Sequence, residues 1–98
     1  MYEIEFTPEA VEDLHYFKKY EQNIIIDMIQ TQLTYEPTVE TNNRFRRNPP
    51  DIAEWELRIG VFRVFYNIDE LVRIVSIERI GEKLNNTVFF RRRKAGKL

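Results

Sequence analysis

The stretch "WELRIGVFRVFYNI", Trp55 to Ile68, alternates apolar and polar residues on both sides of a glycine, and few folds accommodate it. Period-2 alternation marks half-buried strands. Gly60-Val61 between two such runs predicts a two-residue hairpin loop of type II′, with glycine at its first position. That register pairs Ile59 with Phe62, Leu57 with Val64 and Trp55 with Tyr66, all on one face. The opposite face then sets Arg58 against Arg63 and Glu56 against Phe65. A slip of one residue would expose the aromatic side chains, so the apolar pattern defends the pairing. An Asp69-Glu70 turn extends the sheet to a third strand, with Val64 against Val75 and Arg63 against Ser76.

The flanking sequence supplies what covers the apolar face. "YEIEF" (residues 2–6) reads as a strand. "TPEA" opens a helix, with Thr7 as N-cap, Pro8 at the first helical position and Glu9 complementing the dipole. Ala10, Leu14 and Phe17 form its apolar stripe. "KKYEQN" interrupts the stripe, and a second helix runs to about Tyr35 with Ile25, Ile26, Ile29 and Leu33 inward, closed by Pro37. The two helices are expected as an antiparallel pair. Residues 37–51 hold three prolines and no periodicity, and read as irregular. Strands are expected at about 53–59, 61–68 and 71–80, a turn at 81–86 ("GEKLNN") and a last short strand at 87–90 ("TVFF"). The pattern is α+β: an antiparallel sheet with a helical hairpin on one face. A single domain of 98 residues is expected, with a basic tail at about 91–98.

Charge divides along this chain. Residues 1–43 carry nine acids against two bases, whereas residues 44–98 carry thirteen bases against seven acids. The asymmetry suggests an anionic partner for the second half, through Arg44, Arg46, Arg47 and Arg79, although the "RRRK" run at Arg91–Lys94 supplies much of it. Cysteine is absent, which excludes disulfides and thiolate metal sites and fits a reducing cytoplasm. The N-terminus has acids where a signal peptide would have bases, and no run approaches the roughly 18 apolar residues of a membrane span. The expectation is a cytoplasmic protein with no membrane contact and no cofactor.

Like charges opposite one another on a sheet cost a few tenths of a kcal/mol up to about 1 kcal/mol. Two guanidiniums beside Phe65 and Ser76 would seat a phosphate, because arginine offers a planar fork of donors. Glu54 and Glu56 lie on the same face and could instead neutralise the pair; both readings stand on these residues. Phe65 is the stacking candidate for a base on that face, while Trp55 and Tyr66 belong to the core by parity. His15, the sole histidine, is expected at the surface and cannot form a metal cluster. No Gly-rich phosphate loop, nucleophile elbow or metal motif occurs.

With "WELRIGVFRVFYNID" at its centre and "IVSIERIGEK" after it, the strand–helix–helix–three-strand plan resembles the RelE/ParE superfamily of bacterial toxins, over about residues 2–90. The resemblance implies the toxin half of a type II toxin–antitoxin pair. It implies metal-independent cleavage of mRNA in the ribosome, by activating a ribose 2′-hydroxyl against the adjacent phosphate. It places Arg63 and Arg58 as basic residues of the site and Lys83 as a further one; Glu56 stands where some members carry lysine, and a carboxylate there could serve as a general base but not as a phosphate clamp. It also implies a cognate antitoxin that wraps the toxin with an extended segment. Many ribonuclease members carry a tyrosine or a histidine–tyrosine pair near the C-terminus; here "KLNNTVFFRRRK" has neither. Two alternatives follow from that departure: a ParE-like inhibitor of DNA gyrase, and a non-catalytic member that only binds its antitoxin.

Overall fold

The computed structural model describes residues 1–94. Strand β1 (Glu3–Phe6) leads into helix α1 (Pro8–Tyr16), which Thr7 caps by accepting the Ala10 N–H at 3.1 Å, with Pro8 at the first turn. Helix α2 (Lys19–Leu33) starts where Glu21 reaches back to accept the Lys18 N–H at 3.0 Å. Its buried stripe is Ile25, Ile29 and Leu33, with Ile26 half-buried at the margin.

The remaining strands are β2 (Arg44–Arg46), β3 (Trp55–Ile59), β4 (Phe62–Asp69), β5 (Ile74–Leu84), β6 (Thr87–Phe90) and β7 (Arg93–Lys94). They pair antiparallel in the order β2-β3-β4-β5-β6-β7, and β1 joins parallel to β5. The sheet is therefore mixed rather than wholly antiparallel. β2 lies inside the segment expected to be irregular, and is held by pairing Arg44 with Leu57 and Arg46 with Trp55. β5 continues through Leu84, so the turn shrinks to Asn85-Asn86, both at positive φ. Asparagine tolerates that conformation better than other non-glycine residues.

The β3–β4 hairpin has the expected register, with Ile59 on Phe62, Leu57 on Val64, Trp55 on Tyr66 and Arg58 on Arg63. Gly60 takes φ of 58°, the left-handed value the loop demands. The apolar six pack with Ala10, Leu14, Phe17, Ile25, Ile29 and Leu33 in one core. Trp55 and Tyr66 stack there at 5.9 Å, and the Tyr66 hydroxyl donates to the Pro37 carbonyl at 2.9 Å. Burial pushes that phenol well above its ordinary pKa.

The third strand departs from expectation. Arg63 opposes Gly81 and Val64 opposes Ile80, while Ser76 opposes Asn67. Two local features cause the shift. The β4–β5 loop spans residues 70–73, and β5 carries an extra residue, Glu78, between Ile77 (opposite Tyr66) and Arg79 (opposite Phe65). Such a bulge flips the parity of everything beyond it. Val75 and Ile77 before it, and Ile80 after it, all reach the helix-side core.

The other face of the sheet is also partly covered. Ala53, Phe65 and Phe90 form a second small core with Ile52 and Val88. Gly81 permits it: a Cβ there would meet the Phe89 carbonyl oxygen at 2.6 Å and the Phe90 ring at 2.8 Å. Gly81→Ala should therefore destabilise the protein by about 1–3 kcal/mol. A thermal melt would read this as a drop of about 4–8 °C per kcal/mol. An unchanged midpoint would mean that Phe90 does not sit on this strand.

One flank of β5 is divided between two neighbours: β1 pairs with Ile74–Ile77, and β6 with Glu82–Leu84. In the gap between them, the Ile80 N–H donates to the carboxylate of Asp13 on α1, at 3.0 Å. A side chain takes the place of a strand there, as buried backbone donors require.

Candidate functional site

The hairpin brings Arg58 and Arg63 together as the sequence predicts, but Glu56 sits between them. Its Oε2 lies 3.5 Å from the Arg63 Nε and 3.7 Å from the Arg58 Nε. Its Oε1 accepts from Arg47 Nη1. Arg47 also donates through Nη2 to Asp51 at 2.6 Å, and that hydrogen bond holds the Asp51 carboxyl below the usual carboxylate range. Of the two neutralising acids expected, Glu56 takes the role; Glu54 is exposed and makes no ion pair among the described residues.

Arg63 is built into the fold. Only 9% of it is exposed. Its Nη1 donates to the Gly60 carbonyl at 2.6 Å and the Phe62 carbonyl at 2.9 Å, which ties the side chain to its own hairpin. Burial lowers its pKa, Glu56 opposes that effect, and Arg58 adds to it. Its Nε is buried with no hydrogen-bond acceptor among the described residues, since 3.5 Å to Glu56 is too long for a well-formed bond. Arg58 is different: 43% of its side chain is exposed, and its guanidinium lies over the Phe45 ring, 4.7 Å from the centroid. Lys83 shares this face, two residues along β5 from Gly81, which opposes Arg63. Three cations, Arg47, Arg58 and Arg63, thus gather around Glu56, with Asp51 beside Arg47; Lys83 lies on the same face, farther along the sheet.

Several expected binding residues are engaged elsewhere. Arg44 is buried on the helix side; its guanidinium donates to the carbonyls of Val39 at 2.7 Å and Gln32 at 2.6 Å, closing the C-terminus of α2. Arg46 is exposed but lies over the Trp55 ring, on the helix side of β2. Arg47 lies over the Phe65 ring in addition to its two ion pairs. Phe65 is wholly buried in an edge-to-face pair with Phe90, so it offers no base a stacking surface. Parity put Phe65 on the correct face, but β6 and the segment before β3 seal that face locally. Ser76 is not beside the arginine pair at all.

Arg79 is bound to Asp13, through Nε at 2.7 Å and Nη2 at 3.1 Å, and lies over Phe90. Asp13 is fully buried and accepts also from Arg91 Nε at 2.9 Å. Arg91 reaches Glu12 and Glu9 as well, and Arg92 donates to the Tyr16 hydroxyl. Arg91 and Arg92 are therefore clasped to α1, while Arg93 and Lys94 pair with β6; residues 95–98 lie outside the described residues. Asp13 and Phe45 escaped the sequence reading. Asp13 had a signal, since it lies three residues after Ala10 and one before Leu14, on the buried stripe. His15 is exposed on α1, as expected. Among the described residues no group of acids and histidine could hold a metal ion, and no helix is long and apolar enough to cross a membrane.

The sequence matches no family model and no curated protein. Solved structures match the fold. A chain of the toxin–antitoxin complex RelBE2 from Mycobacterium tuberculosis aligns with a TM-score of 0.64 at 21% identity, over 84% of this chain and 98% of that one. The archaeal RelE–RelB complex from Pyrococcus horikoshii gives 0.55 at 13%, over 83% and 93%. The intact RelBE complex of E. coli gives 0.50 at 10%, over 87% and 100%. The architecture is the RelE fold.

Proposed function

We propose that this chain is the toxin of a toxin–antitoxin pair, and that it cleaves mRNA on the ribosome at the Glu56–Arg63 face. The observation that carries the chemistry is the buried Nε–H of Arg63, unpartnered among the described residues, beside Glu56 Oε2, which accepts no hydrogen bond among them. A buried donor without an acceptor costs about 1–3 kcal/mol. An anionic oxygen of a substrate phosphate would relieve that cost. Arg63 and Lys83 then hold the phosphate. Glu56 Oε2 takes the proton of the neighbouring ribose 2′-hydroxyl, and the freed 2′-oxygen attacks phosphorus. The P–O5′ bond breaks and Lys83 protonates the leaving oxygen, giving a 2′,3′-cyclic phosphate and a 5′-hydroxyl. The fold supports an antitoxin as partner, and an acidic extended segment would suit this cationic face.

A specific observation favours a second reading, a toxin or antitoxin-binding member without nuclease chemistry. Among the described residues no tyrosine or histidine lies on the arginine face: Tyr66 is in the helix-side core and His15 is on α1. Expression without a partner separates the readings, with translation and DNA replication followed independently. Cleaved ribosome-bound mRNA is the expected result. A replication block with intact mRNA would instead identify a gyrase inhibitor, and unimpaired growth a non-catalytic member.

A further inference from the structure

Three aromatic rings share the face of Arg58 and Arg63. Phe65 and Phe90 are sealed in the second core. Phe45, which opposes Glu56 across the β2–β3 ladder, is half-buried, and the Arg58 guanidinium covers it. The two arginines of the pair are consequently unlike. Arginine recognises phosphate through the N–H edge of its plane. In Arg63 that edge is fixed by two hairpin carbonyls and directed at Glu56, and no ring lies against it among the described residues. In Arg58 the flat side is the supported one. Phe45 lies on one side of the guanidinium at 4.7 Å, the Nε edge faces Glu56 at 3.7 Å, and 43% of the side chain is open.

We infer that Arg58 is a base-stacking platform rather than a phosphate clamp: an unpaired RNA base lies on the outer face of its guanidinium, with Phe45 backing it from beneath. A delocalised planar cation stacks on a π face, and base stacking tolerates any sequence because every base has such a face. Larger bases cover more of the platform, so purines bind more tightly than pyrimidines. Division of labour follows: Arg63 and Lys83 grip the backbone, while Arg58 and Phe45 set the height and tilt of the base beside the reacting ribose. The inference rests on the RNA reading above and names the subsite of that reading's substrate.

The test titrates isotope-labelled protein with a short oligoadenylate, and separately with a ribose-phosphate oligomer of equal length that lacks bases. Magnetic resonance follows the Arg58 Nε–H and the Phe45 ring. Oligoadenylate should shift both by its ring current and should bind roughly five- to a hundredfold more tightly than the base-free oligomer. Arg58→Lys keeps the charge and loses the plane; Phe45→Leu keeps the bulk and loses the ring. Each should lose the advantage of oligoadenylate while binding the base-free oligomer as the wild type does. If Phe45→Leu fails to fold, the Arg58→Lys comparison decides alone. Equal binding of the two oligomers to the wild type, or a full advantage retained by Arg58→Lys, overturns the platform and leaves the RNA reading standing. Failure of both oligomers to bind at millimolar concentration overturns the platform, whereas the RNA reading falls only if mRNA on programmed ribosomes stays intact.

Discussion

Asp13→Ala should be the most destabilising single substitution on the helical side of the molecule. The carboxylate is wholly buried and accepts four donors: two from Arg79, one from Arg91 and the Ile80 N–H. Its removal leaves Arg79 and Arg91 with only the exposed carboxylates of Glu9 and Glu12, and a strand N–H with no acceptor. Breaking a buried, hydrogen-bonded ion pair by deleting one partner costs about 3–5 kcal/mol. That is a large part of the roughly 5–15 kcal/mol a domain possesses. The melting midpoint should fall by roughly 12–40 °C. Asp13→Asn, which keeps one acceptor oxygen but no charge, should fall between that variant and the wild type. Glu12→Ala removes an exposed partner of the same Arg91 and should change stability by no more than about 0.5 kcal/mol. Equal melts for Asp13→Ala and Glu12→Ala would show that Asp13 is not the keystone.

Arg63→Ala should abolish growth arrest and lower the cleavage rate by about 10²–10³-fold or more, the usual cost of removing one positioned donor to an oxyanion. The structure adds a stability cost that exposed-face reasoning omits. Arg63 holds two hairpin carbonyls and flanks a buried carboxylate, so its loss should also cost about 1–3 kcal/mol. Activity must accordingly be read on programmed ribosomes well below the variant's own midpoint. Arg63→Lys retains a charge near Glu56 but not the bidentate fork, and should recover only part of the rate. A folded Arg63→Ala protein that cleaves at the wild-type rate would remove Arg63 from the site.

The hairpin was legible because two independent signals agree: period-2 alternation fixes the face, and Gly60 fixes the turn. The next connection offered no such agreement. Leu71 and Val72 look like strand residues, yet they are 95% and 60% exposed in the loop, where the Asp69 carboxylate accepts the N–H groups of both. Reading them as strand shortens the loop, and the Glu78 bulge has no sequence signature, so the sequence pattern sets Ser76 beside Arg63 where the structure has Gly81. Parity correctly put Glu56, Arg58, Arg63 and Phe65 on one face. It could not say which of them water reaches, because that depends on Phe90 arriving from a distant strand over Gly81. The same limit applies to Arg44 and Arg79, whose charge suggests a ligand but whose partners are the Val39 and Gln32 carbonyls and the distant carboxylate of Asp13.

The shared flank of β5 also governs when this protein can come into being. β1 and the start of α1 are made first, but their hydrogen bonds, such as Thr7 Oγ1 to the Glu78 carbonyl, span 71 positions. At translation rates of about 5–20 residues per second, the first strand waits about 4–14 s for its neighbour to be synthesised. Pairings this distant also slow folding itself, since the loop must close before any contact rewards it. The arginine face, whose Arg63 is anchored by the β3–β4 hairpin but whose floor needs Phe90, is completed later still. The proposed activity therefore cannot precede the synthesis of Phe90, and the proposed partner would have that interval in which to arrive first.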